Sequence, residues 1–324
     1  MLRRGTALAS IASTVALTAT PFGALRAQTT PSATLRVAIL PDFNLAALFA
    51  AQAQGYFTDE HLTVAGTEVS GGGAAMIPAL VGGDFDIVYA NPVSVTLAIA
   101  RGIDLRIIIG SPGNPAKPPG PSGLVKRAGT PFSTGKDVEG QRLAVNALGN
   151  IQWMVARAWV KATGGDPEKV SYVEVPVPAM TAALDNNRVA GAMLIDPLLT
   201  VALQQPDKYA ILAWPFNLVY VNLPTSFWVC MNDLVQTKAP LVQAFVRAYR
   251  RGIVWVNANR GKDPLVQLLA ANTHVDPDLL RKLTIPVASA TVDIPHFAGL
   301  LSLMHENNLL TKNVDLAAQV YNVP

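Results

Sequence analysis

Three consecutive glycines, Gly71 to Gly73, separate an apolar strand-like run from an apolar helix-like run, and this constrains the fold more than any other stretch. Glycine turns through torsions that other residues avoid, and it lets backbone approach a neighbour or ligand closely. Ala74 to Val81 reads as a short helix, so Gly72 to Ala75 present N–H donors at its start. Gly82 and Gly83 end that helix, and Asp86 to Ala90 reads as a buried strand. Asn91 followed by Pro92 is an N-cap and first-turn proline that opens the next helix. In a parallel α/β sheet both helix starts lie at the carboxyl ends of strands, where ligands bind. The plain alternative is a flexible glycine connection. The Gly-Lys-Ser/Thr of a phosphate-binding P-loop does not follow, and neither the spacing nor a later ribose-binding acid fits a dinucleotide fingerprint.

Strand–helix alternation extends well beyond this unit. Leu35 to Leu40 is a first strand, a helix runs from Asn44 to Gln54, and His61 to Val69 is a second strand leading to the glycines. Leu105 to Ile109 is a fourth. The proline-rich segment Ser111 to Pro121 interrupts the pattern and reads as a stiff surface loop. Beyond it, Ser122 to Lys126 is a crossing strand, and Arg142 to Val145 a strand reaching the polar turn Asn146 to Asn150. A helix follows from Ile151 to Gly164. Val170 to Val175 and Gly191 to Ile195 are strands around a short helix, Pro178 to Asn186, and the second ends at Asp196-Pro197. Tyr220 to Met231 is again strand-like. After it the chain is helical: Pro240 to Asn259, Pro264 to Asn272, Pro277 to Leu283, Pro295 to Leu310 and Val314 to Val320. Two α/β lobes follow from this grammar, with the helical tail packing back on the first.

The 324 residues suffice for two ordinary cores, and half of them are apolar while 15% are charged, which excludes disordered and coiled-coil classes. Three basic residues, Arg3, Arg4 and Arg26, lie in an N-terminal segment without acids. The rest is electrically balanced, so composition gives no reason to expect nucleic acid or anionic membrane as partner. Residues 1–27 read as an export signal: the arginine pair, an apolar run from Ala7 to Ala19, and a small-residue cleavage site ending at Ala27. Both the general secretory and twin-arginine routes fit, and no cysteine near the site is available for a lipid anchor. The single cysteine, Cys230, lies in an apolar strand and reads as an inert core thiol.

No catalytic constellation is visible. His61, His274, His296 and His305 lack metal-ligand spacing, and no nucleophile elbow occurs. What recurs is a set of polar turns at strand ends: Asp42-Phe43-Asn44, Ser70 to Ala74, Asn91-Pro92, Asn146 to Asn150 and Asp196-Pro197. Helix starts attract anions by about 0.3–1 kcal/mol each when exposed, so several converging on one cleft can hold a small charged group. For any single asparagine, helix capping is the plainer role.

These turns belong to a wider pattern. Ala51-x-x-x-Gly55-Tyr56-Phe57, Ala79-Leu80-x-x-Gly83-Asp84-Phe85-Asp86-Ile87, Arg101 to Leu105, Asp137 to Val145, and Ala183-Leu184 through Asp196-Pro197 recur in order along the mature chain. In this the chain resembles solute-binding proteins of ABC importers, of the nitrate, sulfonate and taurine type that also includes thiamine-precursor binders. The resemblance implies a two-lobed periplasmic-binding-protein (type II) fold, mainly parallel sheets flanked by helices, with a ligand cleft between the lobes. Lobe 1 would comprise residues 34–122 plus 228–324, and lobe 2 residues 123–227. It implies a monomeric periplasmic protein without cofactor or metal, partnered by a permease and its ATPase.

Carried over by position, the ligand contacts are Asp42, Phe43, Asn44, Ser70, Gly71, Gly72, Gly73 and Asn91 from the first lobe. Asn146, Asn150 and Asp196 come from the second. Trp214 and Phe216 are further candidates near the hinge, with core packing as the alternative. The candidate loops hold no arginine or lysine, while Phe43, Tyr89 and Trp214 offer aromatic faces. An organic anion or small aromatic or heteroaromatic ligand is therefore expected. A sensor partner shares these features, and the synthase relatives of the family need a cysteine-rich motif that one cysteine cannot supply.

Overall fold

The computed structural model describes residues 33–40, 43–69, 71–111, 114, 117–281, 283, 285 and 287–323. The expected export signal, together with Asp42 and Ser70, lies outside them. In chain order the strands are β1 (Ala33–Ile39), β2 (Leu62–Glu68), β3 (Ile87–Ala90), β4 (Leu105–Gly110), β5 (Ser122–Arg127), β6 (Arg142–Val145), β7 (Ser171–Glu174), β8 (Gly191–Ile195), β9 (Tyr209–Ala213) and β10 (Phe227–Met231). Among the described residues they form two five-stranded sheets, ordered β2-β1-β3-β10-β4 and β7-β6-β8-β5-β9. Each sheet is parallel except for one antiparallel strand, β10 in the first and β5 in the second. Those two strands directly follow the segments in which the chain passes from one sheet to the other. Both sheets thus carry the same topology, and the expected two-lobed architecture is present.

Burial explains the strands. All four residues of β3 are buried, as a central strand covered on both faces requires, and Leu35, Val37 and Ala38 of β1 are fully buried beside it. β1 is also pinned electrostatically: Arg36 donates through its backbone N–H and guanidinium to Asp86 at 2.8–3.2 Å, at the entrance to β3. Burial raises the Asp86 carboxyl, but these bonds outweigh it and hold the group below its ordinary range.

The helices in chain order are α1 (Ala46–Ala53), α2 (Tyr56–Asp59), α3 (Gly73–Val81), α4 (Pro92–Ala100), α5 (Ile151–Ala162), α6 (Met180–Asp185), α7 (Leu198–Leu203), α8 (Pro215–Val219), α9 (Asn232–Asn259), α10 (Asp263–Thr273), α11 (Pro277–Leu280) and α12 (Phe297–Glu306). α9 places Val242, Phe245, Val246, Tyr249 and Val256 at helical spacing against the first sheet and α1. Gly252 is the point of closest approach, since a β-carbon there would stand 2.1 Å from the Ala47 carbonyl oxygen. Beneath α9, Trp228 packs on Tyr89, Phe245 and Tyr249 with ring centroids 4.9–5.6 Å apart. Each such ring contributes about 1.5–3 kcal/mol through burial alone. The tail therefore packs on the first lobe, as its amphipathic pattern predicts.

Several sequence expectations are corrected. The helix expected from Pro240 starts earlier, at Asn232, with non-helical torsions at Lys238, because Pro240 disfavours helical geometry just before it. The strand expected over Tyr220 to Met231 exists only from Phe227. Asn222 turns the chain at a φ of 58°, and the Tyr220 hydroxyl donates to the Pro224 carbonyl at 2.7 Å. The helix expected over Val314 to Val320 is a single 3-10 turn, Ala317–Gln319. There the chain instead runs beside β4, where Tyr321 N–H donates to the Ile107 carbonyl and occupies that edge. The proline-rich segment is not merely surface loop: Ser111 and Asn114 within it are buried, and it connects the sheets. Asn114 N–H donates to the Leu223 carbonyl, and Asn222 N–H to the Asn114 carbonyl, both at 2.9 Å. Ser111 Oγ accepts from the N–H groups of Thr225 and Ser226. The two crossing segments are thereby tied together.

Candidate functional site

A cavity of about 870 Å³ lies between the sheets, with walls drawn from both. From the first lobe come Phe43 and Asn44 after β1, Gly72 and Gly73 at the start of α3, Tyr89 on β3, and Asn91 at its end. Asn146 follows β6, Asp196 follows β8, and Thr200 lies on α7; Trp214 and Phe216 precede and begin α8. The polar turns recognised in the sequence thus converge on one space at the carboxyl ends of parallel strands.

Glycine chemistry accounts for the first wall. Gly72 adopts a φ of 59° with a ψ of −145°, a combination that is essentially glycine's alone. A β-carbon on Gly73 would meet Asn91 Nδ2 at 2.8 Å and Ser94 Cβ at 2.9 Å, so α3 nests against the start of α4. The N-cap residue of α3, Gly72, has no side chain with which to cap it. At α4, by contrast, Asn91 Oδ1 accepts from Ser94 N–H at 3.0 Å. Gly71 belongs to the same turn at a φ of 89° but does not border the cavity.

In the second lobe Asn150 is 1% exposed and stands behind the wall. Its Oδ1 accepts from Trp153 N–H, capping α5, and its Nδ2 donates to Asn146 Oδ1 at 2.6 Å. Gln152 Oε1 accepts from Asn146 N–H at 2.9 Å. Asn146 is therefore oriented from behind by two buried residues, while Asn150 holds the turn rather than facing the cavity.

The aromatic candidates divide by exposure. Phe43, Tyr89 and Phe216 are each about 5–6% exposed and pack into cores, reaching the cavity with little surface. Trp214 is half-buried and packs with Leu199 and Ile211 where Gly123 carries no β-carbon. It is the most open aromatic surface of the wall.

Charge in the cavity is sparse. Among the described lining residues the charged side chains are Asp196 and Lys117. Asp196 Oδ1 accepts from Thr200 Oγ1 at 2.6 Å and Thr200 N–H at 3.1 Å, which starts α7. Burial pushes the Asp196 carboxyl above its ordinary range, and the two Thr200 bonds offset only part of that. Lys117 is exposed and comes from the proline-rich crossing segment, so the expectation of a site without lysine holds for the turns but not for the cavity. Sequence reading also missed Gln152, Thr200, Gln204, Thr225 and Ser226. Their polarity beside apolar runs was the available signal, but only the fold brings them to the wall.

Other chemistry is not in evidence in these residues. Among the described residues no three His, Cys, Asp or Glu side chains are placed to hold a metal ion. Burial raises the Cys230 thiol to about 12, leaving it un-ionised at neutral pH. No described helix is long and apolar enough to cross a membrane.

Two lobes of matching topology around a shared cavity define the type II periplasmic-binding-protein fold. The NMT1/THI5 like family model matches residues 42–261, and the chain belongs to that family. The resemblance seen in the sequence motifs is thereby borne out. The alkanesulfonate-binding protein SsuA from Xanthomonas axonopodis pv. citri, solved bound to MOPS, is similar at a TM-score of 0.75 with 18% identity, over 90% of this chain and 99% of its own. The nitrate-binding protein NrtA from Synechocystis PCC 6803 is similar at 0.70 with 15% identity, over 88% of this chain and 84% of its own. The Candida albicans CA3427 product, described as having the generic periplasmic binding protein fold, is similar at 0.71 with 16% identity, over 90% and 96%. No curated protein sequence matches the chain significantly.

Proposed function

We propose that this chain is the periplasmic solute-binding component of an ABC importer, capturing a small organic anion or aromatic or heteroaromatic compound between its lobes. The observation that supports this most is the convergence of Asn44, Gly72, Gly73 and Asn91 from one lobe with Asn146 and Asp196 from the other on a single cavity. A cavity of about 870 Å³ suits a small molecule. The structural relatives named for alkanesulfonate and nitrate binding point to the same class of work. The proposed lobes are residues 34–122 plus 228–324 and residues 123–227, and the mature protein begins after residue 27. Binding favours the closed arrangement only through contacts made to both lobes, and the closed surface is what a permease reads.

Native mass spectrometry of the mature protein, purified without denaturation, tests the reading. A bound small organic molecule, released on mild activation, is the expected result. Bare protein, combined with a thermal-shift response only to nitrate or sulfate, would contradict the proposed ligand class. No response to any small molecule would remove the solute-binding reading.

A further inference from the structure

One wall of the cavity comes from the helical tail. Leu283, Ile285 and Val287, at alternate positions between α11 and α12, border it and are all apolar. Among the described residues the tail gives the cavity no charged or hydrogen-bonding side chain. Ile285 is buried in the cluster of Phe43, Ala46, Val256 and Leu265, while Val287 is 53% exposed. Two residues at the end of α9 fasten this stretch. Asn257 Nδ2 donates to the Ala288 carbonyl at 2.9 Å and Asn257 Oδ1 accepts from Ala288 N–H at 3.0 Å, the exchange that paired strands make. Arg260 Nε donates to the Ile285 carbonyl at 3.0 Å. Farther on, a β-carbon on Gly110 would stand 2.2 Å from the Thr291 carbonyl oxygen, so the tail also seats closely against the end of β4. Neither Asn257 nor Arg260 borders the cavity. The polar turns of the cavity fall within residues 42–261, which match the family model, whereas this wall lies beyond them.

We propose that Leu283, Ile285 and Val287 select the solute by the size of its apolar part, and that Asn257 and Arg260 are positioning residues that set where this wall stands. The inference rests on the reading of this cavity as a solute site and deepens it. A polar group turned to this wall would lose its water without gaining a partner, whereas an apolar group gains by burial. The solute therefore presents its apolar side to the tail and leaves its polar groups to the asparagine and glycine turns. Selection by size needs a wall that does not yield. Ile285 and Val287 also border a separate space of about 20 Å³, shared with Tyr249 and Val256 of α9, so packing alone leaves them room to shift. The bonds from Arg260 and Asn257 remove that freedom at Ile285 and Ala288, on either side of Val287. Because neither residue lines the cavity, their effect on selectivity comes through the wall.

Titration calorimetry on the mature protein tests this, with carboxylates, sulfonates and carboxamides that carry methyl, propyl, pentyl or phenyl groups. Within the head group that binds, the larger apolar groups are expected to bind the wild type more tightly than methyl. Val287→Ser should reduce that preference about four- to tenfold and leave the methyl probe unchanged. Asn257→Ala and Arg260→Met should also reduce it, each with an unchanged circular dichroism spectrum. Arg260→Lys, which keeps a donor, should retain it. A preference that is absent from the wild type, or that survives in all of Val287→Ser, Asn257→Ala and Arg260→Met, overturns the selective wall while the solute-binding reading stands. Variants that weaken every probe by the same factor have the same meaning. Binding of none of the probes overturns the wall as well, and native mass spectrometry then separates the two readings: a small molecule carried by the purified protein keeps solute binding, and bare protein removes both.

Discussion

Gly72 of one lobe lies against the carboxamide of Asn146 of the other: a β-carbon built on Gly72 would stand 3.2 Å from Asn146 Nδ2. The turn after β2 and the turn after β6 therefore meet at the rim of the cavity. Gly72→Ala both strains a backbone at a φ of 59° and crowds that meeting point. Urea unfolding should show a loss of about 1–3 kcal/mol, and small-angle scattering a slightly larger radius of gyration. Unchanged unfolding and scattering would mean that the lobes do not depend on this contact.

Asn150 couples helix capping to the cavity wall. Asn150→Ala removes the cap and should cost about 1 kcal/mol, measured by urea unfolding. Asn150→Asp keeps an acceptor for Trp153 N–H and introduces a negative charge at the helix start. It cannot donate to Asn146 Oδ1, so that amide must turn over and present oxygen where nitrogen faced Gly72. Solute affinity reduced several-fold, with a stability lower near neutral pH than wild type because the new carboxylate is buried, is the expected pair of results. Full affinity would show that Asn146's orientation is immaterial.

Asp196 makes the protein pay in stability for its site. Its carboxyl is raised by burial, so the folded chain holds this proton more tightly than the unfolded chain, whose value is about 3.9. The stability linked to that proton is present below the unfolded value and is lost as pH rises through the folded one. Without solute, Asp196→Asn should therefore melt at a higher temperature than wild type near neutral pH. The difference should vanish on acidification below about pH 4. Equal melting temperatures at neutral pH would show that the carboxylate is well solvated.

The pair Arg36–Asp86 has the opposite sign. The Asp86 carboxyl is lowered, so its contribution is present above the unfolded value and lost as pH falls through the folded one. In Arg36→Gln the guanidinium's bonds and charge are lost while the backbone donor remains, so the carboxyl rises relative to wild type and the acid-unfolding midpoint should shift to higher pH. A midpoint that does not move would place the stabilisation elsewhere.

The polar turns were legible because their signals are local. Asn91-Pro92 announces a capped helix, Gly71 to Gly73 a backbone that other residues cannot follow, and Asp196-Pro197 the end of a strand. Apolar runs such as Leu35 to Leu40 in the first sheet and Gly191 to Ile195 in the second revealed both sheets. Local signals failed where distant partners decide the outcome. Val314 to Val320 looked helical, yet its backbone bonds to β4; Tyr220 to Pro224 looked extended, yet the Tyr220 hydroxyl folds it into a turn. Asn150 carried the same signal as Asn146, and only packing separates the residue behind the wall from the one on it.

The amino-acid order by itself determined two α/β lobes, the family pattern, and turns able to offer polar groups at strand ends, because torsional preference and hydrophobic period act over a few residues. Tertiary structure alone decided which of those turns share a cavity, that Lys117 joins them from a proline-rich crossing, and that Asp196 is half-buried in its wall. Burial, and the charge energetics it governs, depend on residues far apart in the chain, which no local pattern encodes.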